Sequence, residues 1–375
     1  MARHSVLLVG GYGVFGGFLA QRLAGEPDID LILAGRSPEK VAQSAERVGA
    51  RGMVLDRTAP HEELAAAITK ADTDLVIDAA GPYDRNGGDE VDYSLALAAI
   101  AANSHYLDLA DDARFVAEIT CLNERAERAG VSVISGASSV PALSSAAVDA
   151  LISGMRRVKT IDVCILPGNR APRGRAVMES ILGQAGKKFP TFQKGKWVRQ
   201  TGWGHLARCG LRTPGAAAIS NRLASPLFVP DTILFPDHYN AESVTFRAGL
   251  ELRLMHLGLW LLTFAVRLRL LSSLRPFTGV LWHTANLMQS WGTDRGGMKV
   301  EVGGEGEDGA SVLRSWTLIA ESGDGPQIPP TPAYVLTRKV LDGELPTGAR
   351  PALGLASLDE LQQALSHLDI TFART

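Results

Sequence analysis

The chain has 375 residues, 46% of them hydrophobic and 21% charged, with a formal net charge of −2. That balance fits a globular protein long enough for two domains and lacks the basic excess of a nucleic-acid binder. Three cysteines stand far apart without a C-x-x-C, and the eight histidines show no H-x-x-x-H or H-E-x-x-H spacing, so neither a disulfide framework nor a metal site is expected. No secretory pattern opens the sequence, and the cysteine usage predicts a cytoplasmic protein.

The first predicted element is an apolar strand from Ser5, which feeds directly into Gly10-Gly11-Tyr12-Gly13-Val14-Phe15-Gly16-Gly17. Gly11, Gly13 and Gly16 make a G-x-G-x-x-G between that strand and a helix predicted over 14–25, the context a dinucleotide-binding turn requires. Gly11 is expected to permit the tight turn, Gly13 to let a pyrophosphate approach and Gly16 to let helix and strand pack closely. Val14 and Phe15 open the helix, whose unpaired amides and partial positive charge suit phosphate.

The second strand, over 30–35, ends about where a ribose-reading side chain should stand. An NAD binder usually places a carboxylate there, whereas this chain places Arg36 and then Ser37. A guanidinium can grip a phosphate through two parallel hydrogen bonds, so the expected cofactor is NADP. Arg36 also reads as a helix-entry residue, with Ser37 as N-cap and Pro38 at the first helical position, and the two readings are compatible.

Further strands are predicted at 51–55, 74–79, 105–109 and 131–135, with helices at 38–49, 60–70, 88–102 and 112–129. Strict alternation of this kind predicts an α/β, doubly wound parallel sheet whose ligand lies at the carboxyl ends of the strands. Asp56 follows the third strand, where it could accept from an adenine amino group or cap a helix. Ala80, Gly81 and Pro82 follow the fourth; their small, stiff loop could pass close to a nicotinamide ribose. Tyr83 could stack on the ring, donate a proton or simply cover the sheet edge, while Asp78 suits a turn cap. Tyr106 and Asp108 share one face of the fifth strand, where Asp108 could orient substrate, relay a proton or make a structural hydrogen bond. Tyr83 and Asp108 are thus the candidate catalytic residues. Ser138 and Ser139 lack the G-x-S-x-G elbow of a serine hydrolase.

After Gly136 the pattern changes to a small-residue helix ending near Leu151, a strand over 158–166, a proline-rich stretch over 167–245 and paired strands at 298–302 and 312–320. Helices are predicted at 333–341 and 358–367. The expected division is an NADP-binding domain over 1–137, an inserted α+β substrate and dimerisation domain over 138–331, and C-terminal helices over 332–375 that return to the first domain. His205, His238, Tyr239 and His283 are candidate acid–base groups with no spacing to choose among them. Arg170, Arg173 and Arg175 could meet a dicarboxylate or remain solvated loop charge. The apolar stretch 250–271 has an uncharged core over 254–266, shorter than the roughly 20 residues of a membrane span. It reads as a buried core helix, as a subunit interface that would make a homodimer, or as a helix in peripheral contact with a membrane through its flanking arginines.

Five segments occur in an order that resembles the saccharopine dehydrogenase-like oxidoreductases: Gly10–Gly17, Leu33–Ser37, Ala80–Tyr83, His105–Leu109 and Ser138–Pro141. That group includes saccharopine reductases and mycobacterial trans-acting enoyl reductases. The resemblance implies a Rossmann domain, an inserted substrate and dimerisation domain, and a nicotinamide cofactor. It further implies hydride transfer to a C=N, C=O or C=C bond of a small, partly apolar substrate. A trans-acting lipid enoyl reductase is one alternative, and a non-catalytic NADP-binding sensor is another. The chain departs from its relatives at Ser138, where they often carry aspartate, and at Ala110-Asp111-Asp112, where many carry a small residue, glycine and glutamate. Both changes fall on loops expected to face substrate.

Overall fold

The computed structural model describes residues 3–83 and 91–375. Strand β1 (His4–Val9) opens the chain, and Val6, Leu7, Leu8 and Val9 are buried on both faces, as a central parallel strand requires. Helix α1 (Val14–Ala24) leads to β2 (Ile29–Gly35) and α2 (Pro38–Val48). The α2 boundaries follow local chemistry: the Ser37 hydroxyl accepts from the Lys40 N–H, Pro38 sits in the first turn, and Gly49 leaves in the left-handed region at φ 71°. The alternation continues through β3 (Arg51–Val54), α3 (His61–Ala71), β4 (Leu75–Asp78), α4 (Ser94–Ala101) and β5 (His105–Asp108). It ends with α5 (Ala113–Glu118), α6 (Asn123–Ala129) and β6 (Ser132–Ser135). The helix expected over 88–102 is described from Ser94, and residues 88–90 lie outside the described residues. The one expected over 112–129 is split by a tighter turn at Ile119–Leu122.

The next stretch comprises α7 (Ser144–Ile152), β7 (Met155–Leu166), α8 (Arg175–Gln184), β8 (Lys188–Gln193), β9 (Lys196–Thr201), β10 (Ala207–Leu211) and β11 (Ile219–Pro226). It continues with α9 (Asp231–His238), β12 (Ser243–Gly249), α10 (Arg253–Arg267), α11 (Thr278–Leu287), β13 (Gly296–Gly306) and β14 (Ser311–Ala320). Then come α12 (Thr331–Leu341), β15 (Gly348–Pro351), α13 (Leu358–Ala364) and β16 (Ile370–Arg374).

The chain divides into two compact units, Met1–Leu143 with Pro326–Ala356 and Ser144–Gly325 with Ser357–Thr375. The first holds a seven-stranded parallel sheet in the order β15-β6-β5-β4-β1-β2-β3, the doubly wound α/β architecture expected from the alternation. The second is an inserted α+β unit with a mixed seven-stranded sheet, β10-β11-β12-β7-β13-β14-β16, in which β7 runs parallel to β12 and antiparallel to β13.

The C-terminal tail differs from expectation. Helix α12 does return to the first unit: Arg338 forks onto Asp28 at 2.8 and 3.0 Å, and the Arg22 guanidinium lies 3.9 Å from the Tyr334 ring centre. Residues 348–351 then add an unanticipated edge strand beside β6. The last segment, however, joins the second unit, because β16 pairs antiparallel with β14 and Phe372 stacks on the buried Trp316. The alternating Ile370 and Phe372 suit a strand, whereas a helix over 358–367 was expected to close the chain and instead ends at Ala364.

Helix α10 is not the core helix that its leucines suggest. It buries His256, Leu259, Thr263 and Val266 and leaves Leu254, Leu257, Leu261 and Leu262 exposed. Among the described residues no helix is long and apolar enough to cross a membrane.

Candidate functional site

The carboxyl edge of the parallel sheet gathers the residues that the sequence singled out. β1 ends in a turn whose left-handed residue is Gly10, at φ +84°, rather than Gly11. A methyl on Gly10 would stand 2.9 Å from the Ala79 carbonyl, so the first turn lies directly against the loop after β4. Gly11 is kept small by the Leu33 side chain, and a methyl on Gly13 would be 3.1 Å from the Gly10 carbonyl oxygen. At Gly16 the same carbonyl leaves no space for any side chain, which is the close packing expected there. The first intrahelical bond of α1 runs from Gly17 N–H to Gly13 C=O, so the amides of Val14, Phe15 and Gly16 precede it. Gly13 offers no capping side chain and the first turn holds no carboxylate. The result is a bare cradle with partial positive charge that a Cβ would fill, and it fits a pyrophosphate.

At the end of β2, Arg36 is exposed and Ser37 is committed: its hydroxyl accepts from Lys40 N–H and donates to Glu39 at 2.9 Å. A backbone hydrogen bond, and after it that bond from Ser37, hold the Glu39 carboxyl below its ordinary range. The sequence reading missed two neighbours. The Tyr12 ring lies over Gly35, where any side chain would strike it, and the exposed Lys40 ammonium stands 6.0 Å from the ring centre. A second cation thus accompanies Arg36 at this strand end.

Asp56 is exposed, and its Oδ1 accepts from the Thr58 amide at 3.0 Å and hydroxyl at 2.7 Å. It closes a turn ahead of α3, which favours the cap over the adenine contact. The residue beside it carries more structural weight. Arg57 is buried, pairs with Asp78 Oδ2 at 2.9 Å, and donates to the Ala80 carbonyl at 3.0 Å. Asp78 Oδ1 accepts from the Ala80 amide at 2.9 Å. The Ala80-Gly81-Pro82 loop, with a cis Gly81–Pro82 bond, is therefore held from both sides. Nothing in the periodicity pointed to Arg57, because a lone arginine after a strand reads as solvated.

Tyr83 is buried, donates its hydroxyl to the Asp78 carbonyl at 2.7 Å, and packs its ring on Phe115 at 5.1 Å. Burial, with Asp78 and Asp108 adding to it, raises its pKa well above the ordinary value. Its hydroxyl is thereby committed to the backbone, and the ring anchors the loop.

Asp108 is fully buried on β5, directly opposite Asp78 in register. Its Oδ1 accepts from the Gly136 amide at 2.8 Å, the Ala110 amide at 2.9 Å and the Ser135 hydroxyl at 3.0 Å. Burial drives the carboxyl up to about 7 against the pull of those three donors, and Asp78 adds to the rise. Asp108 Oδ2 has no hydrogen-bond partner. The structural hydrogen bond foreseen for Asp108 is present, and it ties the loop after β5 to the loop after β6. Gly136, at φ +85°, then turns against Pro141, and Ser138 is buried in the same loop.

In the second unit the three arginines do not converge. Arg173 bonds the carbonyls of Ala285 and Asn169 at 2.7 Å and also the Asn169 side chain, Arg170 reaches Ser290 O, and Arg175 pairs with Glu179. A dicarboxylate clamp built from them is therefore absent. His205, His238 and His283 are exposed, and Tyr239 donates to Asp149 at 2.9 Å and Ser145 O at 3.2 Å. The buried histidine is His256, bonded to Ser225 at 2.9 Å, and burial lowers its pKa to about 4. Among the described residues no group of three or more His, Cys, Asp or Glu is placed to hold a metal ion.

Residues 6–134 match the family model described as saccharopine dehydrogenase NADP binding domain. No curated protein matches the chain in sequence. Among solved structures, the apo saccharopine dehydrogenase (L-Glu forming) of Saccharomyces cerevisiae is 17% identical, with a TM-score of 0.66 over 99% of this chain and 100% of that one. GenD2 from gentamicin A biosynthesis, in complex with NAD, is 14% identical, with a TM-score of 0.44 over 98% of this chain and 92% of that one. A meso-DAPDH mutant with DAP from Clostridium tetani is 12% identical, with a TM-score of 0.46 over 97% and 99%. The yeast enzyme establishes a shared fold along the whole chain.

Proposed function

We propose, on the premise that this chain is a saccharopine dehydrogenase-like protein whose residues 6–134 belong to that family's NADP-binding domain, that it is an NADP-dependent oxidoreductase. The observation that carries the reading is the strand-end pair of sites: a bare glycine cradle at the start of α1, and two exposed cations, Arg36 and Lys40, beyond β2 where a carboxylate would repel a 2′-phosphate. In this reading Gly11, Gly13 and the amides of Val14, Phe15 and Gly16 hold the pyrophosphate. Arg36 and Lys40 meet the 2′-phosphate, while Ser37 shapes the loop by capping α2. Asp56 supports the adenine side through its turn, and Ala80, Gly81 and Pro82 line the nicotinamide side.

A bound nicotinamide dinucleotide supplies hydride for reduction of a C=N, C=O or C=C bond. The chain's own residues hold and orient. Arg57 and Asp78 fix the Ala80 loop, Tyr83 anchors it from behind, and Asp108 locks the loops at 110 and 136. Tyr83 and Asp108 are thus positioning residues rather than proton donors. The first unit serves the cofactor and the second the substrate, which is a small, partly apolar molecule. Scattered Arg170, Arg173 and Arg175 argue against saccharopine itself. Cytoplasmic placement belongs to the same proposal, and the three cysteines are free thiols.

The second reading is reduction of a lipid-borne C=C bond, favoured by the exposed leucines of α10. Substrate-dependent NADPH oxidation across imines, ketones and enoyl thioesters tests both. Turnover of an imine or ketone supports the first reading, and turnover confined to long-chain enoyl thioesters supports the second. Tight NADPH binding without turnover of any of them would make the chain a sensor instead.

A further inference from the structure

Helix α10 is inverted relative to an ordinary surface helix. His256 and Thr263 are fully buried, while Leu254, Leu261 and Leu268 are 68%, 60% and 67% exposed. The exposed positions 254, 257, 261 and 268 fall at helical spacing, so they form one outward stripe. The loop after α10 and helix α11 continue the surface with Leu270, Phe277 and Val280. Val266 of α10 packs on Gly186, just past the end of α8, and Arg275, in the turn that leads into α11, packs on Gly183 of α8, which places the two exposed sets in one region of the second unit.

Charge distinguishes what can cover this face. From 252 to 293 the chain has four arginines and no aspartate or glutamate. Arg253 stands at one end of α10, and Arg267 and Arg269 at the other, all three exposed. Of the flanking carboxylates, Glu251 is paired with Arg222 at 2.8 Å and Glu179 with Arg175 at 3.1 Å, while Asp294, just past the segment, is half-buried. A two-fold pairing sets a patch against its own copy, so self-association through 252–293 would bring arginine to arginine with no carboxylate of that segment to pair them. An anionic lipid surface presents the complementary charge together with an apolar interior. The 15-residue α10 is too short to span but long enough to lie in the interface.

We propose that the α10–α11 face docks the second unit on membranes rich in anionic lipid, with the leucine stripe at the acyl boundary and Arg253, Arg267 and Arg269 at the headgroups. This docking is independent of the oxidoreductase reading. The homodimer expected from the sequence used the same face, and the charge argument replaces it.

Sedimentation of the full chain with vesicles provides the test, using phosphatidylcholine alone and phosphatidylcholine mixed with phosphatidylserine. Wild type should partition onto the mixed vesicles and not onto phosphatidylcholine. Each arginine near an anionic surface contributes a factor of about five, so Arg267→Gln with Arg269→Gln should weaken partitioning by about 25-fold. Leu257→Glu with Leu261→Glu should abolish it, and these exposed positions should leave NADPH affinity unchanged. Failure of wild type to bind either vesicle overturns the proposal. So does a lipid-free dimer, seen by light scattering, that the leucine double substitution dissolves while wild type ignores vesicles, because a second copy would then own the face.

Discussion

The carboxyl edge of the parallel sheet and the α10–α11 face of the second unit treat polarity in opposite ways. At the sheet edge the charged groups are inside: Arg57, Asp78 and Asp108 are buried, and hydrogen bonds fix three loops around them. On α10 the leucines are outside while a histidine and a threonine are in. Where loops must hold a ligand, buried polar groups give geometry that apolar packing alone would not specify. Where the surface must meet something else, apolar area is left uncovered. Substitutions at the two places should therefore differ sharply in cost.

The largest effect is expected at Arg57. Arg57→Ala leaves the Asp78 carboxylate buried without its partner, which typically costs about 3–5 kcal/mol, read as a lowered urea midpoint. Asp108→Ala follows, because it strands two amides and a hydroxyl, with an expected loss of about 3 kcal/mol. Asp108→Asn keeps an acceptor at that point and should cost less than half as much. If Asp108→Ala and Asp108→Asn unfold alike, the three-donor account is wrong.

Asp108 also predicts a pH dependence. Its folded carboxyl is pushed up from 3.8 to about 7, so the folded protein retains a proton that the unfolded chain releases. The stability from this group is fully present below about pH 4 and is lost as pH rises through about 7. Urea midpoints for wild type should fall between about pH 5 and about pH 8, and Asp108→Asn should flatten that slope. An unchanged slope in the variant would place the dependence elsewhere. The smallest effect belongs to the other region: Leu261→Ser should change the urea midpoint by no more than about 0.5 kcal/mol equivalent, since it removes little buried area. A loss comparable to a core leucine would show that the α10 stripe is covered in solution.

The same contrast explains what the sequence made legible. Strand–glycine–helix alternation is written in the period of apolar residues and in the turns, so β1 to β6, the Gly10–Gly16 turn and the Arg36 position could be read directly. The shift of the left-handed residue from Gly11 to Gly10 could not, because adjacent glycines satisfy the same pattern. Side-chain commitments were hidden as well. Arg57 lies next to the candidate Asp56 yet faces inward, and Tyr83 spends its hydroxyl on a carbonyl five residues back. Their partners are set by chain segments remote in sequence or by local loop geometry. β15 was missed because four residues ending in Pro351 carry too little periodicity, and it gains its meaning from pairing with β6. The sequence leaves α10 open between core, interface and membrane contact because hydropathy records what residues are and not which way they face.

Titration calorimetry of the wild-type chain with NADPH and with NADH is the most direct measurement of the central claim, that the glycine cradle and the cations beyond β2 form an NADP site. Arg36 gripping the 2′-phosphate should make NADPH bind about 10- to 100-fold more tightly than NADH, the range of one charge-assisted contact. Arg36→Asp should erase or reverse that preference. Equal affinities in wild type, a preference for NADH, or heat from neither cofactor would contradict the account.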